Sequence, residues 1–275
     1  MQKTSTLKNS SNIPPVEEKK SFSLPPGIIG FIEETGGLGS FAARFFKQVW
    51  RPPYEFSEFI RQCYEIGYRS YPLVAITGFI MGMVLTLQSQ PTLAKFGAES
   101  YLPAMVAVSI IREIGPVITA LICAGKVGSG IGAELGSMKV TEQIDAMEVS
   151  GTNPFKYLVI TRILATTLML PVLVIMADGV SMVGSFVGIN INDDVSLTLY
   201  IDKAFKALEF SDLLPSIAKS FFFGFGISLI GCYKGYNAEN GTEGVGKASN
   251  SAVVASSLMV FIIDAIAVQV TNLFI

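Results

Sequence analysis

Five stretches of this chain are apolar on nearly every side, at about 71–90, 101–125, 157–190, 212–233 and 251–274. A helix needs about 20 largely apolar residues to cross a bilayer, so each is predicted to span it. The third is long enough to tilt, or to bend near Pro171. Ahead of them the pattern changes. From Ile28 to Trp50, Ile28, Ile29, Ile32, Phe41, Phe45 and Val49 recur near helical spacing, with Glu33, Glu34, Arg44 and Lys47 between them and an interruption at Thr35, Gly36 and Gly37. After Pro52 and Pro53, Phe56, Phe59, Ile60, Cys63 and Ile66 share one face, while Glu55, Glu58, Arg61 and Glu65 interleave. Charged amphipathic segments suit helices lying in the headgroup plane; a small soluble helical cap would show the same periodicity. Residues 1–27 are polar, carry two proline pairs and read as a disordered cytoplasmic tail. The reading is an all-α polytopic membrane protein, with interfacial amphipathic helices over 28–70 and a five-helix transmembrane domain over 71–275.

Composition agrees. Only 15% of the 275 residues are charged and half are hydrophobic, against about a quarter charged in soluble domains. A net charge of −2 gives no support to nucleic-acid binding. There is no histidine, which removes Ser-His-Asp and Cys-His catalysis and every His-containing metal site. Cys63, Cys123 and Cys232 are far apart and read as small buried hydrophobes.

Charge in the connections sets the expected orientation. Lys3, Lys8, Lys19, Lys20, Arg44, Lys47, Arg51, Arg61 and Arg69 precede the first span; Lys126, Lys139, Lys156, Lys234 and Lys247 lie on the same side. The other side has Lys95, Lys203 and Lys206 among several acids. The N-terminus is expected in the cytoplasm and Ile275 outside.

Two motifs mislead. Gly241 to Lys247 fits the start of a phosphate-binding loop, but Ala248 stands where Ser or Thr must hold Mg²⁺, and no strand precedes it. Asp178 and Asp264 both fall within spans, yet their surroundings lack the pattern of an intramembrane aspartyl protease. Arg112 and Glu113 in the second span are a stronger signal, since each mid-bilayer charge costs roughly 2.5–3.5 kcal/mol on insertion scales. Adjacent helical residues point about 100° apart, so the two are expected to serve different surroundings, one pairing with Asp178 or Asp264. A structural ion-pair network and a polar patch for an amphiphile's headgroup are both open readings. Between spans two and three, a glycine-rich run from Gly125 to Ala133 reads as a connection, followed by an amphipathic helix over about 134–147 that is shaped to dock on a partner.

The chain resembles the MlaE (YrbE-like) family, permease subunits of lipid ABC transporters that work with MCE proteins. The resemblance rests on the stretch Gly82–Gln88, Arg112 to Pro116, Ala133 to Met138, Thr141 to Gln143, Asp145 to Met147, Asn153 with Pro154, and Gly235 with Tyr236. These occur in the family's order over roughly residues 55–272.

The resemblance implies an MlaE-type ABC permease fold in a bacterial inner membrane, a homodimer, a cytoplasmic ABC ATPase dimer that carries the ATP and Mg²⁺, and a periplasmic MCE-domain protein, with phospholipid as cargo. It implies no cofactor in this chain and no enzymatic activity. It places Leu85, Gln88, Leu93 and Phe96 around a lipid cavity between protomers, with Arg112 and Glu113 below. It also makes Glu134, Met138, Thr141, Glu142, Gln143 and Asp145 the coupling contact with the ATPase. Phe96 stands where relatives can carry tyrosine, which keeps acyl packing and removes a hydroxyl. A secondary transporter would show intramembrane charges too, but such folds usually carry internal repeats, and none is evident. A lipid-modifying enzyme would have only the aspartate pair for its chemistry.

Overall fold

A computed structural model describes residues 26–239 and 241–274, and among these every regular element is helical. Residues 1–25 of the expected tail lie outside the described residues. The chain divides into two units between Gly37 and Leu38. In the first, the described residues belong to the opening of α1 (Pro26–Val49), which runs through Thr35, Gly36 and Gly37 without the interruption predicted there. Glycine inside a helix costs only about 1 kcal/mol and does not by itself stop one.

In the second unit, α2 (Phe56–Cys63) passes through a π-helical turn at Tyr64–Tyr68 and, after a short turn, into α3 (Tyr71–Lys95). The amphipathic stretch after Pro53 therefore leads into the first span as its charged foot, Phe56–Lys95. Its charge is tolerated because Glu58, though buried, accepts from Gln62 Nε2 at 2.7 Å and from the Tyr157 hydroxyl at 3.2 Å.

The second span, Glu99–Val140, is built from α4 (Leu102–Ser109), α5 (Gly115–Cys123) and α6 (Ser129–Val140), joined by π turns at Ile110–Ile114 and Ala124–Gly128. Here too the expected boundary moves: the glycine run is helix. Gly128, Gly132 and Gly136 recur every four residues, one face of a helix, and small residues on such a face let membrane helices approach closely. A methyl group on Gly132 would stand 3.2 Å from the Ala248 carbonyl, and one on Gly235 would stand 2.9 Å from that of Gly132. After a two-residue break, α7 (Gln143–Val149) follows as a short separate helix, so the single helix expected over 134–147 is two.

The third span opens with a π turn at Phe155–Ile160 and continues as α8 (Thr161–Ile189), passing Pro171. It is buried over most of its length and forms the axis of the bundle. Gly82 of α3 and Gly184 of α8 meet each other's helix backbones at Ser181 and Phe79. Then come α9 (Leu197–Ala207), capped by the Ser196 hydroxyl, α10 (Phe210–Tyr236) and α11 (Thr242–Phe274). Phe41 of α1 packs edge-on against Phe155 and Tyr233, with the Arg44 guanidinium 4.3 Å above the Phe155 ring. The first and fifth spans keep long exposed apolar faces, including Leu73, Ile76 and Ile80 on one and Val254, Leu258 and Phe261 on the other.

Candidate functional site

Arg112 and Glu113 sit on the π turn Ile110–Ile114. The sequence supplies the cause: Pro116 has no N–H to give the Arg112 carbonyl and its ring would crowd it, and a wider turn relieves both. As expected for neighbouring helical residues, the two serve different partners. Arg112 Nη1 lies 3.7 Å from Asp212 Oδ1 on α10. Glu113 Oε2 lies 2.5 Å from Lys219 Nζ, and the same nitrogen is 3.0 Å from Asp264 Oδ1 on α11. The Lys219 side chain is 4% exposed while Glu113 is 42% exposed, so the cation is the buried hub and one carboxylate looks outward.

The expectation that one of the two pairs directly with Asp178 or Asp264 is thus corrected. Asp264 reaches Glu113 through Lys219, and Arg112 takes Asp212. Asp178 packs against Gly115, the one residue type with room for it there, and its buried Oδ1 has no hydrogen-bond partner among the described residues. Lys219 and Asp212 were missed in the sequence. Their signal was present, since a lysine inside an otherwise apolar span needs a partner.

Beside the cluster, α10 and α11 enclose a cleft of about 690 Å³ whose walls include Leu214, Phe222, Ile263 and Ile266, with Lys219 at its edge. Arg112, Glu113 and Asp212 border a small adjoining recess with Thr271. A strongly apolar trough beside a fixed group of charges is suited to an amphiphile.

The other expected cavity residues are placed differently within one chain. Leu85 and Leu93 pack against a cluster containing Leu102, Val106 and Ile110. Gln88 is exposed and Phe96 is 80% exposed. Neither lines the cleft beside Lys219. The buried glutamine of this region is Gln90, which donates to Asp193 at 2.6 Å and accepts from Asn192 at 2.9 Å.

At the opposite end of the second span, Glu134 Oε1 lies 2.8 Å from Nη2 of the fully buried Arg162. Met138 packs partly on the core. Thr141, Glu142, Gln143 and Asp145 are exposed. The Thr141 hydroxyl donates to the Ser137 carbonyl, and Asp145 pairs with Lys139 at 3.1 Å. Glu142 adopts a left-handed conformation (φ 58°) and forms the elbow between α6 and α7, while buried Ile144 pins the short helix down. Gly241 to Lys247 forms no phosphate loop: α11 begins at Thr242, no strand precedes it among the described residues, and Lys247 pairs with Glu243 and Glu239.

An all-helical bundle of five spans with a buried charge cluster and an exposed elbow has the makings of a membrane permease. The family model for permease MlaE matches residues 59–270, and the chain belongs to that family. A probable ABC transporter permease protein of Rickettsia felis is 40% identical over 234 residues, 85% of this chain and 90% of that protein. One of Synechocystis is 36% identical over 203 residues, 74% and 77% of the two chains. The protein TRIGALACTOSYLDIACYLGLYCEROL 1, chloroplastic, of Arabidopsis thaliana is 35% identical over 205 residues, 74% of this chain and 59% of that one. The chain is a multi-pass membrane protein and the permease component of an ABC transporter, a transport subunit and not an enzyme; such a permease implies an ATPase partner.

Proposed function

We propose that this permease moves a phospholipid, or a lipid much like it, between a bacterial inner membrane and a periplasmic MCE-domain protein. The observation that carries the reading is the Glu113–Lys219–Asp264 cluster set beside the apolar cleft of α10 and α11. Acyl chains suit the cleft and a polar headgroup suits the charges. The plant relative's name, which contains that of a glycerolipid, supports the same cargo class.

Two protomers would meet through the exposed apolar faces of the first and fifth spans and bring Leu85, Gln88, Leu93 and Phe96 to a shared cavity above Arg112 and Glu113. Each protomer would offer its exposed elbow, Thr141 to Asp145, to one of two ATPases on the cytoplasmic side, where the N-terminus also lies; the C-terminus would be periplasmic. The chain's own residues supply binding and coupling, while ATP and Mg²⁺ belong to the ATPase. Closure of the ATPases would pull the elbows together and narrow the cavity.

Extraction from the native membrane in mild detergent, followed by native mass spectrometry, tests this directly. Two permease chains with two ATPases and retained phospholipid are expected. A lone chain with neither ATPase nor lipid, under conditions that preserve other membrane complexes, would overturn it.

A further inference from the structure

A second amphiphilic recess lies away from the charge cluster, where the end of α1, the segment leading into α2 and the start of the third span meet. It encloses about 220 Å³. Its polar wall holds Gln48, Arg51 and Lys156, and its apolar wall holds Phe59, Leu164 and Leu168. Lys156 Nζ donates to the Arg51 and Pro52 carbonyls, both at 2.8 Å, which fixes the ammonium and leaves its third N–H. Among the described residues the Arg51 guanidinium makes no ion pair, and Gln48 Oε1 is buried without a hydrogen-bond donor. Glu55 borders the same recess, so two basic groups face one acid. Tyr54, 55% exposed, lines it and donates to the carbonyl of Trp50, which is 81% exposed; such aromatic residues collect at headgroup depth.

We propose that this recess is a binding site for one anionic phospholipid of the surrounding leaflet, distinct from the transported cargo. The phosphodiester would sit on Arg51 and Lys156, a glycerol hydroxyl would donate to Gln48 Oε1, and an acyl chain would run along Phe59, Leu164 and Leu168. Basic pockets between membrane helices are a recognised mode of headgroup capture. One phosphate with a neutral hydroxylated head, as in phosphatidylglycerol, matches both the modest charge excess and the orphan acceptor. The bound lipid would tie α1 to the foot of the first span and to the third, using neither the cleft of α10 and α11 nor the elbow.

Native mass spectrometry of the purified full chain, titrated with phosphatidylglycerol and with phosphatidylcholine of the same acyl chains, reads the site without any transport assay. Wild-type protein is expected to retain phosphatidylglycerol several-fold better. Arg51→Gln, which breaks no ion pair, should reduce that preference by roughly fivefold, the contribution of one basic residue near a phosphate. Arg51→Lys should keep most of it. Equal retention of the two lipids by the wild type, or an unchanged preference in Arg51→Gln, would overturn the proposal. So would loss of the preference in Lys219→Met with Arg51→Gln unaffected, since the anionic lipid would then occupy the cleft beside the charge cluster.

Discussion

The Arg162 guanidinium meets the Glu134 carboxylate at 2.8 Å, with the arginine side chain 1% exposed and the glutamate half exposed. That asymmetry decides which substitution hurts more. Removing Glu134 strands a buried cation whose remaining acceptor is the Leu158 carbonyl at 2.8 Å, and breaking a buried pair in this way costs about 3–5 kcal/mol. Removing the cation leaves a carboxylate that water already reaches. Glu134→Ala should therefore lower the thermal unfolding midpoint in detergent more than Arg162→Met, which keeps most of the side-chain volume. The reverse order would show that the pair does not work through desolvation.

A methyl group at Gly82 would overlap the Ser181 carbonyl, and one at Gly184 would overlap that of Phe79, whereas Gly179 on the same α8 has open space at its Cβ position. Overpacking usually costs about 1–3 kcal/mol when side chains can give way; here backbone opposes backbone, so the helices must separate. Gly82→Ala and Gly184→Ala should each destabilise the bundle by at least that amount, while Gly179→Ala should change the unfolding midpoint little. Equal midpoints for all three would contradict the close approach of α3 and α8.

The span count was legible because twenty apolar residues in a row have few other uses. Helix boundaries were not, and the reasons differ by site. Gly128 and Gly132 read as part of a connection, since the same residues that loosen a loop in water tighten a helix seam in a membrane, and only the partners on α10 and α11 distinguish the two. The join between the charged helix of Glu58 and Arg61 and the first span was hidden, because Tyr157, which donates to Glu58, lies 99 residues away. Within the charge cluster, Arg112 and Glu113 announced themselves as a doublet. Lys219 and Arg162, single charges in long apolar runs, were passed over although each carries the same insertion cost.

Among the described residues, Lys219 is the one cation shared by Glu113 and Asp264. Lys219→Met should leave two carboxylates facing each other and cut ATP-driven lipid transfer at least tenfold in proteoliposomes containing the ATPase. Asp264→Asn, which keeps the Glu113–Lys219 pair, should be milder. In the double variant Lys219→Met with Asp264→Asn, folding should recover and transfer should not, because the repulsion is gone and the cation is still missing. Restored transfer in that double variant would reduce Lys219 to a structural counter-ion.

Among the described residues, Glu142 is the one non-glycine position with positive φ, at 58°. Holding such a residue in the left-handed region costs about 1–2 kcal/mol, and the strain sits at the elbow that turns the end of the second span into α7. Two substitutions separate the backbone from the exposed side chain. Glu142→Gly relieves the strain, so the elbow should keep its shape and the protein should gain about 1 kcal/mol of stability. Glu142→Lys leaves the strain in place and reverses the charge that the elbow would present to the ATPase under the proposed coupling, so ATP hydrolysis by the assembled complex should continue while lipid transfer falls. Deleting Thr141 to Asp145 should uncouple the two more completely. The decisive measurement is the ratio of lipid moved to ATP hydrolysed in proteoliposomes. A normal ratio in Glu142→Lys, or in a folded deletion variant, would remove the elbow from the coupling path. A loss in Glu142→Gly as large as in Glu142→Lys would assign the effect to the missing carboxylate and not to the reversed charge.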